Sequence, residues 1–400
     1  MTAHSGPKFL IAIACGGTGG HLFPGLAVSD ALWRRGSESR LIVSQKTVDT
    51  QAIMASDALD VIKLPAVALQ NRNWFGFLNG FVRSLRVCFR QFSKRRPDAV
   101  VAFGGFTAVP AILAGKTLGA RTFLHESNAV PGRANRVLAT LVNEVFVGYD
   151  TSRQWFFNQA TVQTGTPVRP QFKPIEPSSC RISIGLDARR PVLLVMGGSQ
   201  GAAAVNRLVL GSLPLLKVQS PHLQYLHLTG AAERDSVAAV YREHGLRAVV
   251  RPFLTEMELA LGAATLAVSR AGASSLAEFA AMRLPSILVP YPRAMDNHQY
   301  YNARALMRAG AARQMDQESA THETLVRNVT EILDQDAVYE SMRRAVGQWH
   351  RPNAADEIAE RMLRVLLKGG PVPPPMAGPE GDESEDAFSG TEQSQLSSRS

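Results

Sequence analysis

The chain has 400 residues, of which 45% are hydrophobic and 19% charged. That excludes a wholly disordered chain and leaves room for two packed cores, since single cores stop growing near roughly 250–300 residues. The net charge of +9 is uneven: residues 369–400 hold six acids against one arginine, a net of −5, which leaves +14 on residues 1–368. A basic body suits an anionic partner, whether nucleic acid, phospholipid or a phosphate-bearing substrate, and composition does not choose among them.

Phe9–Cys15 is a short apolar run. It reads as a first strand rather than a signal-peptide core, because it enters Gly16-Gly17-Thr18-Gly19-Gly20-His21 with no small-residue cleavage site. Further strands are expected at Arg40–Ser44, Ala99–Phe103, Arg121–His125 and Glu144–Val147, then at Val192–Met196, Leu223–Leu228, Ala248–Phe253, Thr265–Ser269 and Ser286–Val289. Amphipathic stretches separate them. Alternating β and α predicts an α/β fold with two Rossmann-like parallel-sheet domains facing a cleft. The boundary falls in RPQFKPIEPSS, so residues 1–168 form a first domain, 169–180 a linker and 181–368 a second domain. The final helices are left free to pack back on the first domain. The Pro-, Gly- and acid-rich stretch 369–400 is expected to be a disordered tail. Cys15, Cys88 and Cys180 are odd in number and widely spaced, which fits a reducing cytosol better than a disulfide framework. No run reaches the ~18 apolar residues of a bilayer span.

Between the second and third of these strands lies Asn71–Arg96. Trp74, Phe75, Phe77, Phe81, Phe89 and Phe92 alternate there with Arg72, Arg83, Arg86, Arg90, Lys94, Arg95 and Arg96, and no acid intervenes. Aromatic residues with a purely basic polar face suit a helix lying on an anionic membrane, with Trp74, Phe75, Phe77, Phe81, Arg83 and Arg86 as contacts. A core helix with a solvated face, or a nucleic-acid surface, could use the same residues; no nucleic acid is expected.

The two halves open alike, with FLIAIACGGTGGH and PVLLVMGGSQGAA. In each, a strand ends in glycines before a helix, so backbone N–H groups and the helix dipole can approach a diphosphate. A dinucleotide site is disfavoured, because Leu22 stands where its third glycine belongs and the second strand ends in Ser44-Gln45-Lys46 without an acid. No Gly-Lys-Ser/Thr makes a P-loop either. His21, at the mouth of the first turn, has the ordinary pKa range of a general base, though a purely structural hydrogen bond would explain it as well. Ser269–Glu278 opens another helix with small residues, and Glu278, a turn inside, could accept from a ribose diol or simply complement the helix dipole. Asp296-Asn297-His298-Gln299 follows a strand and offers donors and acceptors to a sugar, or an N-cap. His125-Glu126-Ser127-Asn128 also follows a strand and points toward the cleft, while Arg169 sits at the domain joint. Asp334-Gln335-Asp336 has metal–diphosphate spacing but lies in a charged helical region, and reads as surface. Neither a metal nor a cofactor is expected.

GGTGGHLFPGLAV at Gly16, GGF at Gly104, HESN at His125, TPVR at Thr166, GGSQGA at Gly197, SRAGASSLAE at Ser269 and DNHQYYNA at Asp296 occur in an order that resembles the MurG family of UDP-N-acetylglucosamine transferases, over about residues 8–365. The resemblance implies a GT-B fold and a hexosyltransferase. The expected reaction passes GlcNAc from UDP-GlcNAc to the C4 hydroxyl of MurNAc in lipid I, a polyprenyl-diphosphate-linked acceptor, giving lipid II with inversion for peptidoglycan synthesis. It implies donor contacts at Thr18, Gly19, Gly20, Asn128, Arg169, Ser199, Leu254, Ala273, Ser274, Ser275, Leu276, Ala277, Glu278 and Gln299. Leu254 would meet uracil, Glu278 the ribose, and Gln299 with Asn128 the GlcNAc hydroxyls; His21 is the favoured base. The expected location is peripheral, on the cytoplasmic face of the bacterial plasma membrane. Ser127, Thr166 and His298 depart from residues common in the family. A UDP-GlcNAc 2-epimerase and a membrane-tethered nucleotide-sugar-binding module are the competing readings.

Overall fold

The computed structural model describes residues 8–17, 19–45, 60–65, 74–105, 107–157, 160–198, 201–370 and 372–376, the side chain of Trp74 excepted. Thr18, Ser199 and the tail from residue 377 lie outside the described residues.

The first sheet holds β1 Leu10–Ala14, β2 Glu38–Ser44, β3 Asp60–Leu64, β4 Ala99–Ala102, β5 Arg121–Glu126, β6 Glu144–Val147 and β7 Thr161–Gln163. Its order is β3-β2-β1-β4-β5-β6-β7, and every pairing is parallel. The second holds β8 Val192–Met196, β9 Gln224–Leu228, β10 Ala248–Arg251, β11 Leu266–Ser269, β12 Ser286–Leu288 and β13 Ala312–Gln314. It repeats the winding as β10-β9-β8-β11-β12-β13, again parallel throughout. Helices cover both faces, so central strands are buried on both sides and read as unbroken apolar runs. In β1, Ile11 and Ile13 face one core with Val28 and Leu32, while Ala12 and Ala14 face another with Phe92 and Ile112.

Among the described residues the first domain carries helices α1 Gly19–Trp33, α2 Trp74–Lys94, α3 Ala108–Thr117 and α4 Arg133–Leu138. Helices α5 Pro177–Ile184, α6 Ala203–Gln219, α7 Arg234–Glu243, α8 Met257–Ala263, α9 Ala273–Met282, α10 His298–Arg308, α11 His322–Asp334 and α12 Asp336–Gly347 follow. The residues 177–180 read as linker instead open α5. Pro177 at its first turn and the Glu176 carboxylate, which accepts from the Ser178 N–H, start a helix there. The last helix, α13 Ala354–Leu366, returns to the first domain. It buries Ile358, Ala359, Met362 and Leu363 against α1 residues, and Asp356 pairs with Arg34 at 3.3 Å and with Arg35.

In both sheets the winding reverses at one point, between β1 and β4 and between β8 and β11. Such a switch point opens a crevice at the carboxyl ends of the strands, where α/β ligands bind.

Candidate active site

Ala14 lies level with Ala102, and Met196 with Ser269. Gly16–Gly17 therefore meets Gly104–Gly105 at one switch point, and Gly197–Gly198 meets Arg270–Gly272 at the other. The turns are close-packed. Gly105 has φ +75°, and a Cβ there would stand 2.6 Å from the Gly16 carbonyl oxygen; Gly201 has φ +74°, with a Cβ 2.2 Å from the Thr229 carbonyl oxygen. Only glycine allows either approach. The Gly16 N–H donates to Thr107 Oγ1 at 3.2 Å. The His21 ring rests on this platform: a Cβ on Gly104 would lie 3.0 Å from His21 Nε2.

Pro24 lies inside α1 and has no N–H, so the Gly20 carbonyl loses its helical donor. Ser274 Oγ, on the facing helix α9, donates to that carbonyl at 3.1 Å. A break in one domain's helix is thus filled by the other domain.

Between the domains lies one cleft of about 880 Å³. Gly19, Gly20, His21, Gly198, Ala273, Ser274, Ser275 and Glu278 line it, as do Asn128, Leu254 and Gln299. Phe77, Leu78, Phe81 and Val109 form an apolar wall on the first domain. Glu278 is buried, and that burial raises its carboxyl to about 7, against an opposing pull from Arg169. Arg169 is sandwiched between Phe23 and Phe172, its guanidinium carbon 4.5 Å and 5.0 Å from their ring centres; it is not among the cleft-lining residues, although its charge acts on Glu278. Gln299 Oε1 accepts from the Tyr291 N–H at 2.9 Å, which ties it to the loop after β12.

Not every residue singled out in the sequence faces this space. Leu276 is core, and Ala277 borders a small cavity at the domain joint with Tyr149 and Trp349. His125, within β5, is fully buried. Its Nε2 lies 3.0 Å from the Gly165 carbonyl, and desolvation lowers its imidazole to about 4, so the ring is neutral and structural. Asn297, not Asp296, precedes α10, and no side chain caps that helix. Asp334, the last residue of α11, and Asp336, the first of α12, are exposed and not among the cleft-lining residues. Helix α2 divides along its length. Cys88 and Phe92 are core; Phe77 and Phe81 are half-buried in the cleft wall; Phe75 is 90% exposed, and Arg83, Arg86 and Arg90 are exposed.

Three residues of the site carried no readable role in the sequence. The buried Glu126 carboxylate accepts from the Asn128 N–H (2.9 Å), Asn128 Nδ2 (2.9 Å), the Gly132 N–H (3.0 Å) and Asn135 Nδ2 (2.8 Å), and so holds the whole 128–135 loop. Asn135 lines the cleft with its Nδ2 engaged by Glu126 beside Gly104, and its buried Oδ1 has no hydrogen-bond partner among the described residues. Asn302 joins the domains: it accepts from the Ala129 N–H at 2.9 Å and donates to Asn128 Oδ1 at 3.0 Å and the Ala271 carbonyl at 3.1 Å. The Asn302 partners lie far away in the chain, and the Glu126 partners, though near in sequence, are met only because the chain folds back after β5; only the neighbouring motif letters hinted at either.

Two like-wound parallel sheets facing a cleft lined by glycine turns and a buried carboxylate define a GT-B nucleotide-sugar enzyme. Residues 11–147 match the Glycosyltransferase family 28 N-terminal domain and residues 192–361 the Glycosyltransferase family 28 C-terminal domain. The chain belongs to glycosyltransferase family 28 and, within it, to the MurG group. It is 36% identical over 362 residues to the UDP-N-acetylglucosamine–N-acetylmuramyl-(pentapeptide) pyrophosphoryl-undecaprenol N-acetylglucosamine transferase of Anaeromyxobacter sp. (strain K), covering 89% of this chain and 93% of that one. The transferase of the same name from Geobacter sulfurreducens is 32% identical, covering 90% and 99%. The crystal structure of Acinetobacter baumannii MurG superposes with a TM-score of 0.69 at 26% identity, covering 90% of this chain and all of that one. A putative UDP-N-acetylglucosamine 2-epimerase from Listeria monocytogenes reaches the same TM-score at 12% identity, with 91% and 98% covered, which shows the shared fold alone.

Proposed function

We propose that this enzyme transfers GlcNAc from UDP-GlcNAc to the MurNAc C4 hydroxyl of an undecaprenyl-diphosphoryl-MurNAc-pentapeptide, with inversion, at the cytoplasmic face of the plasma membrane. One observation carries the reading: a single cleft joins a polar nucleotide-sugar centre to an apolar wall built by the amphipathic helix α2. Glu278 accepts from the ribose diol, and Leu254 lies against the base. Gln299 and Asn128 meet the sugar hydroxyls, with Asn128 held by Glu126 and Asn302. The glycine turns and the start of α9 stabilise the charge that develops on departing UDP. Thr18 and Ser199, outside the described residues, are assigned to the same task.

His21 stands at the acceptor side, where it takes the proton of the attacking C4 hydroxyl as the new glycosidic bond forms and the bond to the UDP oxygen breaks. The exposed Phe75 and the basic face of α2 hold the cleft at the membrane surface. No described helix is long and apolar enough to cross a membrane. Radiolabelled UDP-GlcNAc offered with a lipid I analogue tests the reading. Wild type forms the disaccharide and releases UDP, whereas Glu278→Ala and His21→Ala lose most activity. Epimerisation without acceptor, or an unimpaired His21→Ala variant, contradicts the transfer or the base assignment respectively.

A further inference from the structure

Arg133, at the start of α4, reaches across the mouth of the cleft to Asp296 of the second domain. Its Nε lies 3.2 Å and 3.3 Å from the two carboxylate oxygens, and its Nη2 lies 2.9 Å from Oδ1. Arg136 Nη2 adds a contact at 3.6 Å, while its guanidinium stacks on Trp155 at 4.2 Å. The Asp296 carboxyl is held below its usual range, first by the hydrogen bond from Arg133.

Three features set this pair apart from an ordinary surface ion pair. Arg133 lines the cleft, as do Asn128 and Met295. Its side chain is 76% exposed, and among the described residues its guanidinium bonds to Asp296. Asp296 and Asn297 both hold left-handed backbone, φ 49° and 55°, to present the carboxylate. Exposed pairs of this kind contribute little stability, typically below about 1 kcal/mol. A planar guanidinium holding a carboxylate along its Nε–Nη2 edge at a substrate entrance is a fork already shaped for an oxyanion, with a weak internal stand-in.

We propose that Arg133 binds an oxyanion of the incoming acceptor, which displaces Asp296 from the guanidinium. This inference rests on the transferase reading above. The acceptor named for the relatives offers two sources of that chemistry: the carboxylates of its peptide and its diphosphate. The exchange makes opposite demands on the two partners. Arg133→Gln loses the acceptor's anion, whereas Asp296→Asn removes the competing charge, along with its weaker contact to Arg136, and asparagine tolerates the left-handed backbone there.

Steady-state kinetics with UDP-GlcNAc and the full acceptor decide the matter. Arg133→Gln raises the acceptor KM about tenfold with the donor KM unchanged, and Arg133→Lys recovers only part. Asp296→Asn lowers the acceptor KM about two- to fivefold, the strength of an exposed pair. Repeating Arg133→Gln on an acceptor with amidated peptide carboxylates names the source: a vanished effect assigns the carboxylates, a persistent one the diphosphate. If both variants move the acceptor KM in the same direction, or the donor KM shifts as much, the pair is only a clasp between domains and the inference falls. A wild type that transfers nothing overturns the transferase reading, and this inference with it.

Discussion

At Glu278 burial and chemistry pull against each other. An ordinary glutamate loses its proton near 4.5, but in the folded protein Glu278 holds it to about 7. The folded state therefore binds the extra proton between those values, and the stability this contributes is present below 4.5 and is lost as pH rises through 7. Ligand-free wild type should lose melting temperature relative to Glu278→Gln from about pH 5 to 8, measured by parallel thermal scans. A ribose diol donates best to the ionised carboxylate, so UDP should bind wild type more tightly as pH climbs through 7, with a flat profile for Glu278→Gln in calorimetric titrations. Glu126 is the second sensitive position. Glu126→Ala leaves four donors of the 128–135 loop without their acceptor; it should cost about 3 kcal/mol or more in denaturant unfolding and lower kcat further than the stability loss explains.

The elements differ in how legible they are. Central strands such as β1 and β8 are buried on both faces, and their unbroken apolar runs announce them. β3, β7 and β13 are sheet edges, with sequences DVIKL, TVQ and ARQ. One side of an edge strand meets solvent, so it needs neither length nor apolar alternation, and none of the three is expected from the sequence. Helix α2 is legible as amphipathic, yet its pattern alone does not say which end is core. The basic residues there carry a test. Changing Arg83, Arg86 and Arg90 together to Gln should weaken binding to anionic vesicles by more than a hundredfold, at about 1 kcal/mol per residue, with little change on neutral vesicles in a sedimentation assay. Equal loss on both would assign the helix to packing alone. Pro24 makes the same point in α1: it reads as a helix defect until Ser274 is seen to fill the open carbonyl.

At the scale of the whole molecule specific ties join the two domains, among them α13 on α1, Asn302 on Asn128 and Ala129, Ser274 on Gly20, Arg133 on Asp296 and Tyr149 on Trp349. Ile358 and Met362 are fully buried in the first domain's core although they come from the end of the chain. Ile358→Ala should therefore destabilise by about 3 kcal/mol, and hydrogen exchange should show the loss in β1 and α1 rather than in the second sheet that precedes it in sequence. The sequence by itself determined the α/β class, the paired halves and the glycine turns, because strand burial and left-handed turns demand particular residue types wherever they occur. Only the tertiary structure decided that His21 rests on Gly104–Gly105, that Glu126 rather than His125 organises the 128–135 loop, and that Arg133 faces Asp296. The His21 and Arg133 contacts join segments far apart in the chain, set by how two sheets and their helices pack; the Glu126 contacts are short in sequence but need the chain after β5 to fold back on the carboxylate, which no residue-type preference announces.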